Sequence, residues 1–147
     1  MNNVSNIAEL LRLLHNLIRL GTIAEVDHRA ARVRVKTGEL LTDWLPWLEG
    51  RAGTTRDWDP PTQGEQVILF SPGGDPAAGV VLCGLCSNAH PAPAEVATLW
   101  RRIFPDEGLF EYDHALAPGP EDLARDPVGL VTAEKRDEGA VSGRVDE

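Results

Sequence analysis

Between residues 5 and 20 the apolar positions fall at steps of three and four. Ile7, Leu10, Leu11, Leu14, Leu17 and Ile18 share one wide stripe of a helix, which Leu13 and Leu20 broaden. Ser5 suits the start of such a helix and Gly21 its end, and nothing between them breaks it. The spacing therefore predicts an amphipathic helix filling the N-terminal segment 1–20. A stripe this wide must be covered, either by the chain's own domain or by a second copy or partner chain.

After Gly21 the period changes from 3.6 to 2, which marks the onset of strands. Thr22 to Asp27 and Ala31 to Lys36 are joined by the short polar connection Asp27-His28-Arg29-Ala30, suited to a hairpin. In Ala31-Arg32-Val33-Arg34-Val35-Lys36 small or apolar side chains alternate with basic ones, so one face turns inward and the basic face meets solvent or an acidic partner. Leu40 to Leu48 continues the pattern with Trp44 and Trp47, and Gly50 to Gln63 is rich in turn residues, with Trp58 and Pro60-Pro61. Gly64 to Phe70 and Gly79 to Leu85 are nearly continuous apolar strands around the loop Ser71-Pro72-Gly73-Gly74-Asp75-Pro76. Five short strands with tight turns, uninterrupted by helical pattern, predict a closed Greek-key barrel of the OB type over residues 21–90.

His90-Pro91-Ala92-Pro93-Ala94 is stiff and extended, so residues 91–100 read as a linker. Arg101 to Phe104 and Leu109 to Asp113 flank the turn Pro105-Asp106-Glu107-Gly108, which predicts a β-hairpin over 101–114. Two strands alone are marginal, so the hairpin is expected to pack on the barrel or on equivalent hairpins of other chains. From 115 to 147 apolar residues thin out and charge rises, and an irregular or disordered acidic tail is expected. The expected fold class is mainly β: an N-terminal α-helix, a five-stranded OB-fold barrel, a β-hairpin and the acidic tail.

Composition sharpens this picture in two ways. Eleven prolines and fourteen glycines in 147 residues fit many turns and few long helices. The formal net charge of -9 sits mostly at one end. From Pro105 onward twelve acids face four bases, a balance of -8, which leaves eleven against ten, or -1, for residues 1–104. No apolar run reaches the roughly 20 residues that span a bilayer, and no basic flank or cleavage site marks a signal peptide. Synthesis in a cytoplasm without processing is expected.

Candidate chemistry is sparse. Cys83-Gly84-Leu85-Cys86 has the spacing of a redox dithiol or of half a zinc site. Ser87-Asn88-Ala89-His90-Pro91 cannot begin the helix that would lower the thiol pKa, and no second cysteine pair exists. Both cysteines are expected to be buried or incidental, with a thiol oxidoreductase as the minor alternative. His15, His28, His90 and His114 share no short metal-ligand spacing, and no nucleophile, phosphate loop or metalloprotease motif is present. Catalytic residues, cofactors and metals are therefore not expected. The principal alternative is an OB module for single-stranded nucleic acid, with Arg32, Arg34 and Lys36 beside the tryptophans. Against it, basic residues are not in excess even in the barrel, and nucleic-acid affinity rests largely on such an excess. Leu41, Leu45 and Leu48 beside Trp44 and Trp47 fit a barrel or interface anchor better.

Several ordered segments resemble the phage baseplate assembly protein V family, the tail spikes of contractile phages and R-type pyocins. They are Leu17-Ile18-Arg19-Leu20-Gly21-Thr22-Ile23-Ala24-Glu25-Val26-Asp27, Ala31-Arg32-Val33-Arg34-Val35, and Gly38-Glu39-Leu40-Leu41-Thr42-Asp43-Trp44-Leu45-Pro46-Trp47. Gly64 to Asp75, Gly79-Val80-Val81-Leu82, Phe104-Pro105-Asp106 and Glu111-Tyr112-Asp113 continue it, so residues 8 to 114 are covered. The resemblance implies an OB barrel that forms a homotrimer on the tail axis, plugs the tube and joins the hub to the membrane-piercing point. In the family an intertwined β-helix follows, ending in paired histidines that bind iron. This chain has neither that repetitive pattern nor a His-x-His after His114, so it reads as a short form lacking the β-helical tip.

The implied location is the tail baseplate of a virion or tailocin, assembled in the bacterial cytoplasm. The implied partners are further copies of itself, the baseplate hub protein and the tail tube. Either a separate spike-tip protein completes the spike, or the chain is a truncated or diverged version that serves mainly as the hub plug. The target membrane is touched only transiently, and nucleic acid is not a partner. The interface residues expected are Ile7, Leu10, Leu11, Leu14, Leu17, Ile18, Trp44, Trp47, Phe104, Phe110 and Tyr112.

Overall fold

A computed structural model describes residues 3–116 and 131–132. The helix, α1, covers Asn3–Asn16 and stops short of the predicted residue 20. Ile18 already belongs to β1 (Ile18–Asp27), and Ser5 lies within the helix instead of preceding it. The reason lies in the partner strand: Ile18 pairs with Phe70, Leu20 with Ile68 and Gly21 with Val67, ladder bonds that a continued helix would forfeit. Gly21 is thus no helix cap. A side chain there would collide with Val35 and approach the Lys36 carbonyl to 2.9 Å, so only glycine lets β1 and the second strand come so close.

Two compact units divide at Pro91: Met1–Pro91 and Ala92–Glu147. In the first, β2 (Arg32–Thr37), β3 (Leu40–Leu41), β4 (Gln66–Phe70) and β5 (Val80–Leu85) join β1 in a sheet of order β3-β2-β1-β4-β5. β1 serves two neighbours. Ile18 to Thr22 pair with β4 and Thr22 to Asp27 with β2, and an irregularity within the second pairing, between Ile23 and Glu25, lets the strand coil.

The stretch expected as one strand over Leu40 to Leu48 makes regular ladder pairs only at its start, yet it closes the barrel. Leu45 bridges antiparallel to Val33, and Trp47 bridges parallel to Val81. Pro46 has no N–H to give, but its carbonyl accepts from Val81 N at 3.0 Å, and Leu48 N donates to Val81 O at 2.8 Å. A five-stranded sheet joined edge to edge in this way is the OB barrel that the periodicity predicts. It leaves no long open edge.

Alternation fills the interior. Ile23, Val33, Val35, Leu45, Val67, Leu69 and Val81 are buried and form one cluster, with Val26, Trp47 and Cys83 packed against it. At one end Arg19 donates to Thr37 Oγ1 (3.1 Å), the Thr37 carbonyl (3.2 Å) and Asn16 Oδ1 (3.2 Å), tying the end of α1 to the end of β2.

In the second unit β6 (Leu99–Ile103) and β7 (Leu109–Asp113) form an antiparallel hairpin over the turn Pro105–Gly108. Phe104 N donates to Gly108 O at 2.8 Å, and Asp106 Oδ1 accepts from Gly108 N at 3.0 Å. A third strand, β8 (Val131–Thr132), pairs with Phe110 and Glu111, where the sequence pattern predicts only two strands. Two consecutive β-branched residues suit such an edge pairing, but they are too short a run to stand out in a polar segment. The remainder of the acidic tail expected over 115–147 lies outside the described residues, apart from Ala115 and Leu116.

Candidate functional site

On α1, Ile7, Leu10, Leu11 and Leu14 lie on one face, and each remains about half exposed; Ile7 and Leu10 are 56% exposed. The opposite face is polar and held by an ion pair. Arg12 donates twice to Glu9, at 2.7 and 2.9 Å, and these bonds hold the Glu9 carboxyl below the usual carboxylate range. The main contacts of α1 within the chain are the 3-10 turn Pro72–Gly74 and the start of β1. Gly74 has a left-handed φ of 76°, and a Cβ there would lie only 2.6 Å from Leu13 Cα, so the helix backbone rests on a bare glycine. The stripe itself points elsewhere.

A second apolar surface is created by strand register. Directly opposed residues share a face, so Ile18, Phe70 and Val80 form one row on the outside of the barrel, and Leu20, Ile68 and Leu82 the next. Ile18 is 64% and Leu20 59% exposed. Ile68, Phe70 and Val80 at its centre are partly buried, whereas Ile18, Leu20 and Leu82 around them are exposed, an apolar patch of the kind that marks a contact surface. Leu17, at the junction of helix and strand, donates its N–H to Leu14 O at 3.2 Å and is partly exposed.

The basic side of the barrel is engaged locally. Arg34 bonds to Glu25 (2.9 Å) and to the Thr42 carbonyl (2.9 Å), and its guanidinium lies 5.8 Å from the centre of the Trp44 ring. Arg32 donates to the carbonyls of Ala30 and Ala31. Arginines held in this way offer little to a phosphate backbone.

Trp47 packs against the barrel core and against Trp58, with ring centres 5.7 Å apart. Its indole N–H donates to Glu49 Oε1 at 2.8 Å, and the same oxygen accepts from Asp59 N at 3.0 Å. One carboxylate thereby fastens the turn-rich segment 50–63 onto the barrel, with Trp58 on its outside.

In the second unit one face carries Trp100 opposite Tyr112 and Arg102 opposite Phe110; Phe104 meets Phe110 edge to face at 5.8 Å. The other face holds an ion pair between Arg101 and Glu111 at 2.6 Å. No residue of 92–116 is fully buried, and Trp100 is 57% exposed. Residues 92–116 of this unit carry aromatic side chains but form no buried interior among themselves.

The thiols are free. Burial pushes the Cys83 thiol up to about 11, with the carboxylates of Glu65, Glu49 and Asp59 adding to the shift, so it stays protonated and unreactive at neutral pH. Cys86 is exposed and lines an open pocket with Glu65, Gln66, Gly84, Leu85 and His90. Among the described residues no group of three or more His, Cys, Asp or Glu is placed to hold a metal, and no helix is long and apolar enough to cross a membrane.

Of the eleven interface residues predicted from sequence, the structure gathers Ile7, Leu10, Leu11 and Leu14 on the helix and Phe104, Phe110 and Tyr112 on the second sheet. Ile18 moves from the helix to the barrel's outer face, Trp44 stands exposed beside Arg34, and Trp47 turns inward. Ile68, Phe70, Val80, Leu82 and Trp100 are not singled out by sequence reasoning as interface residues, whereas Leu20 is placed on the helical stripe and Trp58, like Trp44 and Trp47, reads as an anchor of the barrel or of a subunit interface. The even spacing of Ile18 and Leu20, and of Ile68 and Phe70, was the available signal, but only the pairing register shows that they meet.

The family model for the type VI secretion system/phage-baseplate injector OB domain matches residues 19–85, the span from β1 to the end of β5. The chain is also 41% identical over 145 residues to the spike protein of Escherichia phage P2. That alignment takes in 99% of this chain and 66% of the relative, just under two thirds of the relative's length.

Proposed function

The chain belongs to the phage-baseplate injector OB-domain family, and from that premise we propose that it is a homotrimeric central spike or hub protein of a contractile-tail baseplate. It closes the tail tube and carries or forms the base of the membrane-piercing spike. Its work is mechanical: it nucleates assembly and transmits the thrust of contraction, with the hub protein, tail tube and a spike-tip protein as neighbours. Its place is the tail of a virion or tailocin.

One observation carries this reading. A single copy leaves apolar surface open on α1, on the barrel's outer face and on the aromatic sheet of the second unit, three surfaces that self-association would cover. The protonated Cys83 and the internally bonded arginines favour neither a thiol enzyme nor a nucleic-acid module. The test is the mass of the full chain in solution at micromolar concentration. A trimer is expected, and a stable monomer that recruits no hub protein overturns the reading.

A further inference from the structure

We propose that α1 of one copy lies across the outer face of β1, β4 and β5 of the next copy, so that the trimer closes as a ring of exchanged helices. This rests on the homotrimer reading above and adds which surface meets which. The first argument is connectivity. Helix and first strand are separated by Leu17 alone, and the junction is pinned: Ser71 N donates to Leu17 O at 2.9 Å, and Leu13 sits on Gly74. Reversing the chain to lay a helix over the strand that follows it takes a connection of about 2–6 residues. With one residue available, α1 keeps its main contacts at the Pro72–Gly74 turn and β1, and Leu20 and Leu82 of its own barrel stay exposed, with Ile68 between them only partly covered.

The second argument is fit. From Ile7 to Leu14 the stripe is about 10 Å long. The two apolar rows of the face, at Ile18 and at Leu20, lie about 7 Å apart along the strands before the polar pair Thr22 and Gln66, and three strands are about 10 Å across, so the stripe spans both rows. A stripe that includes Leu10 and Leu11 side by side is wider than the narrow seam of a coiled coil, so it suits a sheet face better than a matching helix. The side chains of the two surfaces leave on the order of 500 Å² of apolar area open per copy. Their polar flanks bring a helix-on-sheet contact toward the roughly 800 Å² per partner of a stable interface. A contact in which each copy gives one surface and receives a different one is heterologous, and under threefold rotation it closes without leaving a free face.

The experiment is disulfide trapping in the full chain carrying Cys83→Ala and Cys86→Ala. Leu10→Cys and Leu20→Cys, both at exposed positions, are introduced singly on chains with tags of different size, which are then co-expressed and mildly oxidised. The expected result is a heterodimer joining the Leu10→Cys chain to the Leu20→Cys chain. A chain carrying both changes should give a ladder up to the covalent trimer. Self-linked Leu10→Cys chains would mean that the helices pack on one another, and a linked single chain that the helix covers its own barrel; either result, or no disulfide at all, overturns the proposal. Native mass of the same samples separates the two readings. A trimer without the mixed disulfide sinks only the helix exchange, and a monomer sinks the trimer with it.

Discussion

Close approach at Gly21 shows how one residue sets the barrel's shape. β1 passes from its pairing with β4 to its pairing with β2 near this position, and the crossing is tight enough that Val35 and the Lys36 carbonyl occupy the space of a side chain. Gly21→Ala must push Val35 out of a fully packed core or part the two strands, an overpacking cost of about 1–3 kcal/mol. The expected outcome is a lower unfolding midpoint in denaturant with an unchanged slope. Gly53→Ala is the control: nothing lies within 4 Å of the added atom, and stability should stay within about 0.5 kcal/mol of the parent. Equal effects at the two sites would show that backbone entropy, and not the crossing, decides.

At the scale of elements, the segment between β3 and β4 depends on Glu49 rather than on regular structure. Its Oε1 takes both the Trp47 indole N–H and the Asp59 amide, so the barrel wall and the long loop share one acceptor. Glu49→Ala leaves a half-buried indole N–H without its partner and frees the loop, a loss of about 1–3 kcal/mol. Trp58, which rests on Trp47, should then show red-shifted emission and faster quenching by a soluble quencher. Glu49→Gln keeps an acceptor oxygen and should recover most of the loss. Unchanged quenching in Glu49→Ala would mean that the paired tryptophan rings hold the loop without the carboxylate.

The same scale shows what could be read from sequence. The period-2 runs of β1, β2, β4 and β5 announce a barrel because the buried residues alternate almost without exception. The end of α1 does not announce itself, since Leu17, Ile18 and Leu20 satisfy both a helical stripe and a strand's alternation. Hydrogen bonds to β4, some fifty residues away in the chain, choose between them. The outer apolar face was hidden for a related reason. Ile68, Phe70 and Val80 read as core in a continuous apolar run, and only closure of the barrel decides which alternate residues face outward. Closure itself passes through Pro46 and Trp47, in a stretch whose ladder is too broken to look like a strand.

For the whole molecule, the two units differ in what they can bury. All seven residues of the apolar core belong to Met1–Pro91, whereas the described part of Ala92–Glu147 has no fully buried residue. Residues 92–116, with no buried residue among them, cannot offset their own conformational entropy, because folding gains come mainly from apolar surface removed from water. Residues 1–91 alone should therefore keep a cooperative thermal transition and β-rich circular dichroism. Residues 92–147 alone should lack cooperative unfolding when dilute, and should gain structure as concentration rises and copies cover one another's aromatic faces. A concentration series followed by circular dichroism and sedimentation decides the matter: a dilute 92–147 that melts cooperatively as a monomer would show that Trp100, Phe104, Phe110 and Tyr112 find cover within one chain. The aromatic face would then be a finished surface instead of half of an interface, and the case for self-association would rest on α1 and the barrel alone.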